Sequence, residues 1–146
     1  MEVRYVEPEV VADNWPMFKE EIQKAMDYSA GESTVFDIFR NIMNEQAHVW
    51  VVVDEEGEIV NVTVTEFIVY TRYKTLHIIT TTGKGWKTYK EAHHALEDFA
   101  REYECKSITF WGRQMWEEKL KKLKGKHGEE YETSYLVMQM PLHYER

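Results

Sequence analysis

The stretch HIITTTGKGWKTYKEAHHALEDFAREYECKSITFWGR, residues 77–113, changes its periodicity twice. Ile78 to Thr82 are all β-branched and read as a strand. After Trp86 the spacing becomes helical: Tyr89, Ala92/His93, Leu96, Phe99/Ala100 and Tyr103 fall on one face, which predicts about five turns between Lys87 and Glu104. KSITFW, residues 106–111, returns to strand chemistry. With a helix and more than a dozen residues between them, the two strands can pair in parallel through a right-handed βαβ crossover. Gly83 and Gly85 sit where the first strand becomes the helix, with Lys84 between them. Glycines there serve either a tight turn or a helix start whose bare amides and dipole face an anion.

Towards the N-terminus, VRYVEP (3–8) has strand chemistry stopped by Pro8. Asn14 precedes a helix in which Pro16 suits the first turn, Phe18, Ile22 and Ala25/Met26 share a face, and Gly31 marks the end. Residues 32–47 predict a second helix, capped by Ser33 or Thr34, with Val35, Ile38, Phe39, Ile42 and Met43 inward. Residues 48–82 then read as strands: an acidic turn, Asp54 to Gly57, joins VWVVVD, apolar enough for burial on both faces, to a run alternating through Val60, Val62 and Val64. The alternation changes parity near Glu66-Phe67, which predicts a bulge or a strand end. Beyond the quoted stretch, GRQMWEEKLKKLKG (112–125) predicts another helix, and EEYETSYLVMQMPL (129–142) a closing strand or strand pair. The expected order is strand, two helices, three strands, helix, strand, helix, strand, in one domain spanning 1–146.

A chain of 146 residues, 43% hydrophobic and 30% charged, is long enough to bury a substantial core. Its net charge of −8 repels nucleic acid and anionic membranes, so neither is an expected partner. The single Cys105 excludes an internal disulfide and a cysteine-based zinc site. MEVRYVEPEV lacks the cationic and apolar character of a signal peptide, and the expected location is cytoplasmic. His93, His94 and Glu97 invite a metal reading, but adjacent helical histidines point about 100° apart and two ligands do not close a site, so a hydrogen-bonded histidine is expected and no metal. Cys105 has no histidine nearby in sequence and reads as a small buried hydrophobe.

The element order, with its glycine turn between the fourth strand and the next helix, resembles the GNAT acyltransferase fold over nearly the whole chain. That resemblance implies an α/β (α+β) fold: a mixed, largely antiparallel sheet with a central parallel βαβ pair splayed into a V, and about four helices. The family's pyrophosphate loop reads Arg or Gln, two residues, Gly, any residue, then Gly or Ala, and aligns with Thr80 to Gly85 here. Acetyl-CoA is then the implied cofactor, held by Thr80, Thr82, Gly83, Lys84, Gly85, Trp86 and Lys87, with Arg113 meeting a phosphate or an acidic substrate. Thr80 stands where the family has Arg or Gln. The implied reaction is acetyl transfer to an amine. Glu66, a carboxylate within an apolar strand, is the candidate base; the helix that often carries the family's acidic tyrosine has none here, which leaves Tyr135 or Tyr131 to stand in. A narrower resemblance, carried by Gly83 to Trp86 and by Gly112-Arg113 with Trp116, is to the small GNAT-like proteins of tailed bacteriophages. It implies either an active transferase or a degenerate scaffold whose partners are phage structural proteins, in the host cytoplasm or the virion.

Overall fold

The computed structural model describes residues 1–27, 32–112 and 114–144. In chain order the elements are β1 (Glu2–Val6), α1 (Pro8–Asp13), α2 (Trp15–Met26), α3 (Val35–Met43), β2 (His48–Val53), β3 (Ile59–Val69), β4 (Lys74–Gly83), α4 (Trp86–Glu102), β5 (Ser107–Phe110) and α5 (Gln114–Lys121). The strands form one sheet in the order β1-β2-β3-β4-β5, antiparallel throughout except for the parallel β4–β5 pair.

The apolar run of β2 reflects a strand covered on both sides. Val49, Val51 and Val53 join Phe18 and Ile22 of α2 and Ile38 and Ile42 of α3 in one core, while Trp50 joins Leu76, Ile78, Leu96 and Ala100 in a second beneath α4. Successive side chains of a strand point to opposite faces, so a strand between two helical layers has no polar side to show. Trp50 brings a polar tip into that interior, and its Nε1–H donates to Thr65 Oγ1 at 3.0 Å. Helix α3 begins in a reciprocal cap: Asp37 N–H donates to Thr34 Oγ1, and Thr34 N–H donates to Asp37 Oδ2. The β2–β3 turn is closed by Asp54, whose Oδ1 accepts from the N–H groups of Glu56 and Glu58 at 2.9 Å each.

Three features depart from the sequence-based reading. Pro8 ends β1 as expected but also opens α1, because a residue with fixed φ and no N–H fits a first helical position; Val11 of this extra helix is fully buried. The parity change expected near Glu66-Phe67 is a bulge slightly earlier, and the extra residue belongs to β4: Val64 faces Thr80 and Thr65 faces Ile78, which leaves Ile79 unpaired. The closing strand is absent among the described residues. An isolated bridge between Lys124 and Glu130 is followed by chain without a strand assignment through residue 144, since strand propensity alone makes no ladder. Gly31, the expected end of the first long helix, lies outside the described residues; α2 ends at Met26.

Leu96 is 1% exposed at the centre of the α4 core. Leu96→Ala should lower unfolding stability by about 3 kcal/mol, through lost transfer energy and the cavity left behind, as read from a denaturant midpoint at unchanged m-value.

Candidate active site

Strand β4 loses register with one neighbour and contact with the other at the same place. Its ladder with β5 runs from Thr75 to Ile78 and stops, whereas β4 itself continues to Gly83. Past the Ile79 bulge the two parallel strands diverge, and a cleft of ≈ 1050 Å³ opens between them. Asn61 and Glu66 of β3, His77, Ile79, Thr80 and Thr82 of β4, and Phe110, Trp111 and Trp116 from the β5–α5 side line it. This is the crevice expected at the carboxyl ends of parallel strands.

Two buried side-chain atoms in the lining residues, Asn61 Nδ2 and Thr80 Oγ1, have no hydrogen-bond partner among the described residues. Leaving such groups unpaired costs about 1–3 kcal/mol each, and both atoms are covered by the residues around them. Asn61 Oδ1 is already engaged, accepting from Thr63 Oγ1 at 2.7 Å. Asparagine is depleted in strand interiors, and its place in the run VNVTVT was the signal that sequence reading passed over.

The two glycines of the strand–helix junction are there for different reasons. A Cβ on Gly83 would lie 2.6 Å from both Asn61 Nδ2 and Thr88 Oγ1, so Gly83 is a packing requirement. Gly85 has open space around it but φ 82° and ψ 151°, a backbone region that essentially only glycine occupies. Nor are all the amides bare. Gly83 N–H donates to the Tyr89 hydroxyl at 3.0 Å and Lys84 N–H to the Val60 carbonyl at 2.9 Å. Helix α4 has no side-chain cap, and among the described residues the N–H groups of Gly85, Trp86 and Lys87 have no acceptor. The free donors thus start two residues later than the glycine motif suggests.

The far part of the cleft carries a carboxyl and an imidazole side by side. Glu66 and His77 are cross-strand partners on β3 and β4, and both line the cleft. Burial pushes the Glu66 carboxyl above the ordinary carboxylate range. Burial also lowers His77, to about 4, against an opposing hydrogen bond to Thr109. His77 Nδ1 is bonded to Thr109 Oγ1 at 3.0 Å, and the Trp111 ring lies 4.3 Å from the imidazole, centroid to centroid. At neutral pH the Glu66 carboxyl therefore lies beside an uncharged imidazole that is fixed at one nitrogen.

Of the residues singled out from sequence, Glu66, Thr80, Thr82, Gly83 and Lys84 meet in the cleft. Thr82 Oγ1 donates to Glu21 Oε2 at 3.1 Å, and Glu21 is held below the usual carboxylate range by Lys24 first and Thr82 second. Trp86 is outside the cleft lining and borders a smaller cavity with Tyr89, His93 and Trp116. Lys87 is exposed on the first turn of α4. Tyr135 is 60% exposed beside the Tyr70 hydroxyl and is not among the lining residues. Tyr131 is also elsewhere, its hydroxyl 2.6 Å from His93 Nε2, while His93 Nδ1 contacts Glu97 Oε2 at 3.1 Å. With both ring nitrogens taken, His93 is a structural histidine. Arg113 lies outside the described residues. His77, Thr109, Asn61, Glu21 and Tyr89 join the site only through tertiary contact.

No protein-family model matches the sequence, and no curated protein is significantly similar to it. Solved structures do match its fold. A probable acetyltransferase superposes with a TM-score of 0.68 at 10% identity, covering 99% of this chain and 100% of that one. A predicted acetyltransferase from Clostridium acetobutylicum, solved with acetyl-CoA, gives 0.65 at 12% identity over 94% and 95% of the two chains. The ribosomal-protein-alanine N-acetyltransferase from Brucella melitensis biovar Abortus 2308 gives 0.62 at 13% identity over 96% and 100%. The fold is therefore that of GNAT-like acetyltransferases.

The two glycines should respond differently to alanine. Gly83→Ala and Gly85→Ala should each cost about 1–3 kcal/mol. Only the first loss should shrink, without vanishing, when Asn61→Ala removes one of the two side-chain atoms that the new methyl meets, a comparison made by denaturant unfolding. A second expectation concerns acid. Because the folded pKa of His77 is lowered to about 4, its contribution is complete above the unfolded value near 6.5 and is lost as pH falls towards 4, up to roughly 3 kcal/mol. Glu66, raised by burial, acts in the opposite sense, contributing at low pH and losing that contribution as pH rises through its folded value. Stability between pH 6.5 and 4 should fall less steeply in His77→Gln than in the parent protein.

Proposed function

We propose that this protein binds acetyl-CoA in the β4–β5 cleft and transfers the acetyl group to an amine. The observation that carries the reading is the run of donors unpaired among the described residues that follows Gly83 and Lys84 of the cleft lining, the Gly85, Trp86 and Lys87 amides at the uncapped start of α4. A helix start concentrates about half a positive charge, which suits a pyrophosphate. Lys84, in the lining, and Lys87, exposed one turn further on, add positive charge locally to a chain whose net charge is −8. Ile79, left out of the β3 ladder by the bulge, offers its backbone N–H and C=O for the amide-bearing pantetheine arm. A structural neighbour solved with acetyl-CoA supports the choice of cofactor.

In that pose the thioester reaches towards Glu66. An ammonium acceptor must lose a proton before its nitrogen attacks the thioester carbonyl; Glu66 takes that proton, directly or through one water, and the C–N bond forms as the C–S bond breaks. The raised Glu66 pKa makes it a better base than an exposed carboxylate. Tyr135, the sequence-based candidate for protonating the thiolate, is not in the cleft lining, so that proton comes from water and transfer is slow relative to binding. That missing donor also supports a second reading, a catalytically degenerate GNAT-like phage protein with a structural or assembly role.

Acetyl-CoA at a hundred times its dissociation constant should stabilise the fold by about 2.7 kcal/mol. This would raise the melting temperature by roughly 5–10 °C in a thermal-shift assay. Lys84→Glu with Lys87→Glu should weaken that binding far more than Lys121→Glu with Lys122→Glu. Glu66→Gln should keep the acetyl-CoA shift and lose acetyl transfer. In the parent protein kcat/KM should fall as acid protonates Glu66, with its midpoint above the ordinary carboxylate range. Acetyl-CoA binding without transfer to any amine would favour the non-catalytic reading; no binding at millimolar acetyl-CoA would remove the transferase.

A further inference from the structure

We propose that His77 is a catalytic residue of the acetyl transfer: its imidazole, held as the tautomer with the proton on Nε2, donates a hydrogen bond to the thioester carbonyl oxygen as that oxygen becomes an oxyanion. The inference rests on the acetyl-CoA reading above and adds to it the group that receives the charge formed in the reaction.

The tautomer follows from a chain of three side chains. His77 Nδ1 lies 3.0 Å from Thr109 Oγ1, and Thr109 Oγ1 lies 3.4 Å from Thr75 Oγ1. Such a chain can run in two directions. If Nδ1 carried the proton, it would donate to Thr109 and Thr109 to Thr75, and the Thr75 hydroxyl proton would need a further acceptor. Thr75 is 2% exposed, and among the described residues its side chain has no other hydrogen-bond partner. A buried hydroxyl left in that state costs about 1–3 kcal/mol. In the opposite direction Thr75 donates to Thr109, Thr109 donates to Nδ1, and every proton in the chain is used. That direction leaves the ring proton on Nε2.

The position of Nε2 suits the role. His77 lines the cleft, and Nε2 has no partner among the described residues. The wholly covered side-chain atoms without a partner there are Asn61 Nδ2 and Thr80 Oγ1, so Nε2 keeps access to the open side. Glu66 stands directly across on β3, and side chains in that relation begin about 4.5–5.5 Å apart at Cβ. A thioester placed for Glu66 to deprotonate the attacking amine is thereby within reach of His77. The Trp111 ring, 4.3 Å away between centroids, holds the imidazole in place. Burial keeps the ring uncharged above about pH 4, so it neither repels an incoming ammonium nor ties up the Glu66 carboxyl in an ion pair.

The amine nitrogen adds to the carbonyl carbon, and the C=O π electrons move onto oxygen, where the Nε2–H bond meets them. They return as the C–S bond breaks and its electron pair leaves on sulfur. The ring gives up no proton: one ammonium proton goes to Glu66, and the second reaches the departing sulfur through water. A fixed donor stabilises such charge without reorganising as it forms. Thr109 and Thr75 are positioning residues, because they act only through the imidazole.

Acetyl-CoA labelled with 13C at the thioester carbonyl reads the contact without turnover. Bound to the parent protein, its carbonyl signal should move downfield, and His77→Leu should return it towards the free position. His77→Gln, whose amide nitrogen can stand in for Nε2, should keep part of the shift. In the unliganded parent, 15N spectra should show Nε2 protonated and Nδ1 bare, and Thr109→Val should admit the other tautomer. With an amine acceptor, His77→Leu should lower kcat about 100-fold at unchanged KM for acetyl-CoA, and His77→Gln should lose less. A proton on Nδ1 in the parent would overturn the proposal and leave acetyl-CoA binding standing. So would a bound carbonyl signal indifferent to His77→Leu in a variant that keeps its unfolding transition. If that variant does not fold, the parent tautomer and the response to Thr109→Val decide. Acetyl-CoA binding without transfer to any amine would remove the reaction His77 serves; no binding at millimolar acetyl-CoA would remove the transferase and this inference together.

Discussion

Ile79 is one residue too many for the ladder it belongs to, and the site depends on that surplus. Its displacement from the β3–β4 register lies next to the last β4–β5 pair, so the strand turns away from β5 while staying bonded to β3. A bulge increases local twist and bends the strand that carries it. The volume lined by Thr80, Phe110 and Trp111 lies just past the last pair of the β4–β5 ladder. Both helical layers hold the rest of the sheet rigid around this one departure, with Val49, Val51 and Val64 packed against α2 and α3 and Leu76 and Leu96 against each other under α4.

The electrostatics follow from the same geometry. An acidic chain with a charge of −8 has to recruit positive character locally if an anion is to enter it, and the start of α4 supplies this from the backbone. Side chains refine it. Glu21 stands close by, but Lys24 and the Thr82 hydroxyl occupy its oxygens, which limits the repulsion it offers. Tyr89 closes the Gly83 amide and directs the open donors towards Gly85 and Lys87. Farther in, where desolvation dominates over pairing, the same physics keeps His77 uncharged and makes Glu66 a stronger base.

The region after α5 is held by a second buried polar cluster that has no part in the cleft. Glu97 accepts from His93 and from the Lys126 backbone N–H at 2.7 Å, and His93 in turn meets Tyr131. Burial drives the Tyr131 phenol well above its usual range and lowers His93, as expected for a cluster that works by hydrogen bonding and not by charge. This fastening ends at Tyr131, and Tyr135, Leu136, Val137, Met138, Met140 and Leu142 beyond it are exposed. The pair on one face of α4 that first suggests a metal is thus the anchor of the C-terminal arm.

The sequence by itself determined the elements with strong local codes. The helical face of Phe18 and Ile22, the Thr34 start of α3, the Asp54 turn, the two-sided burial of β2 and the crossover from β4 through α4 to β5 were all legible, because spacing and turn chemistry act within a few residues. So was the strand-to-helix turn of the candidate site, since a helix that starts at glycines after a strand presents its amides there whatever surrounds it. Pro8 was read only as a stop because its second role depends on what Val11 packs against. Which amides are free, why Gly83 and Gly85 are each glycine, and which side chains face one another across the cleft were decided by tertiary structure alone. Asn61 meets Gly83, Glu66 meets His77 and His77 meets Thr109 through strand register, and one extra residue at Ile79 resets that register for everything beyond it. The strand propensity of residues 134–142 was equally plain, but a strand exists only where an edge accepts it, and an edge is a property of the folded sheet.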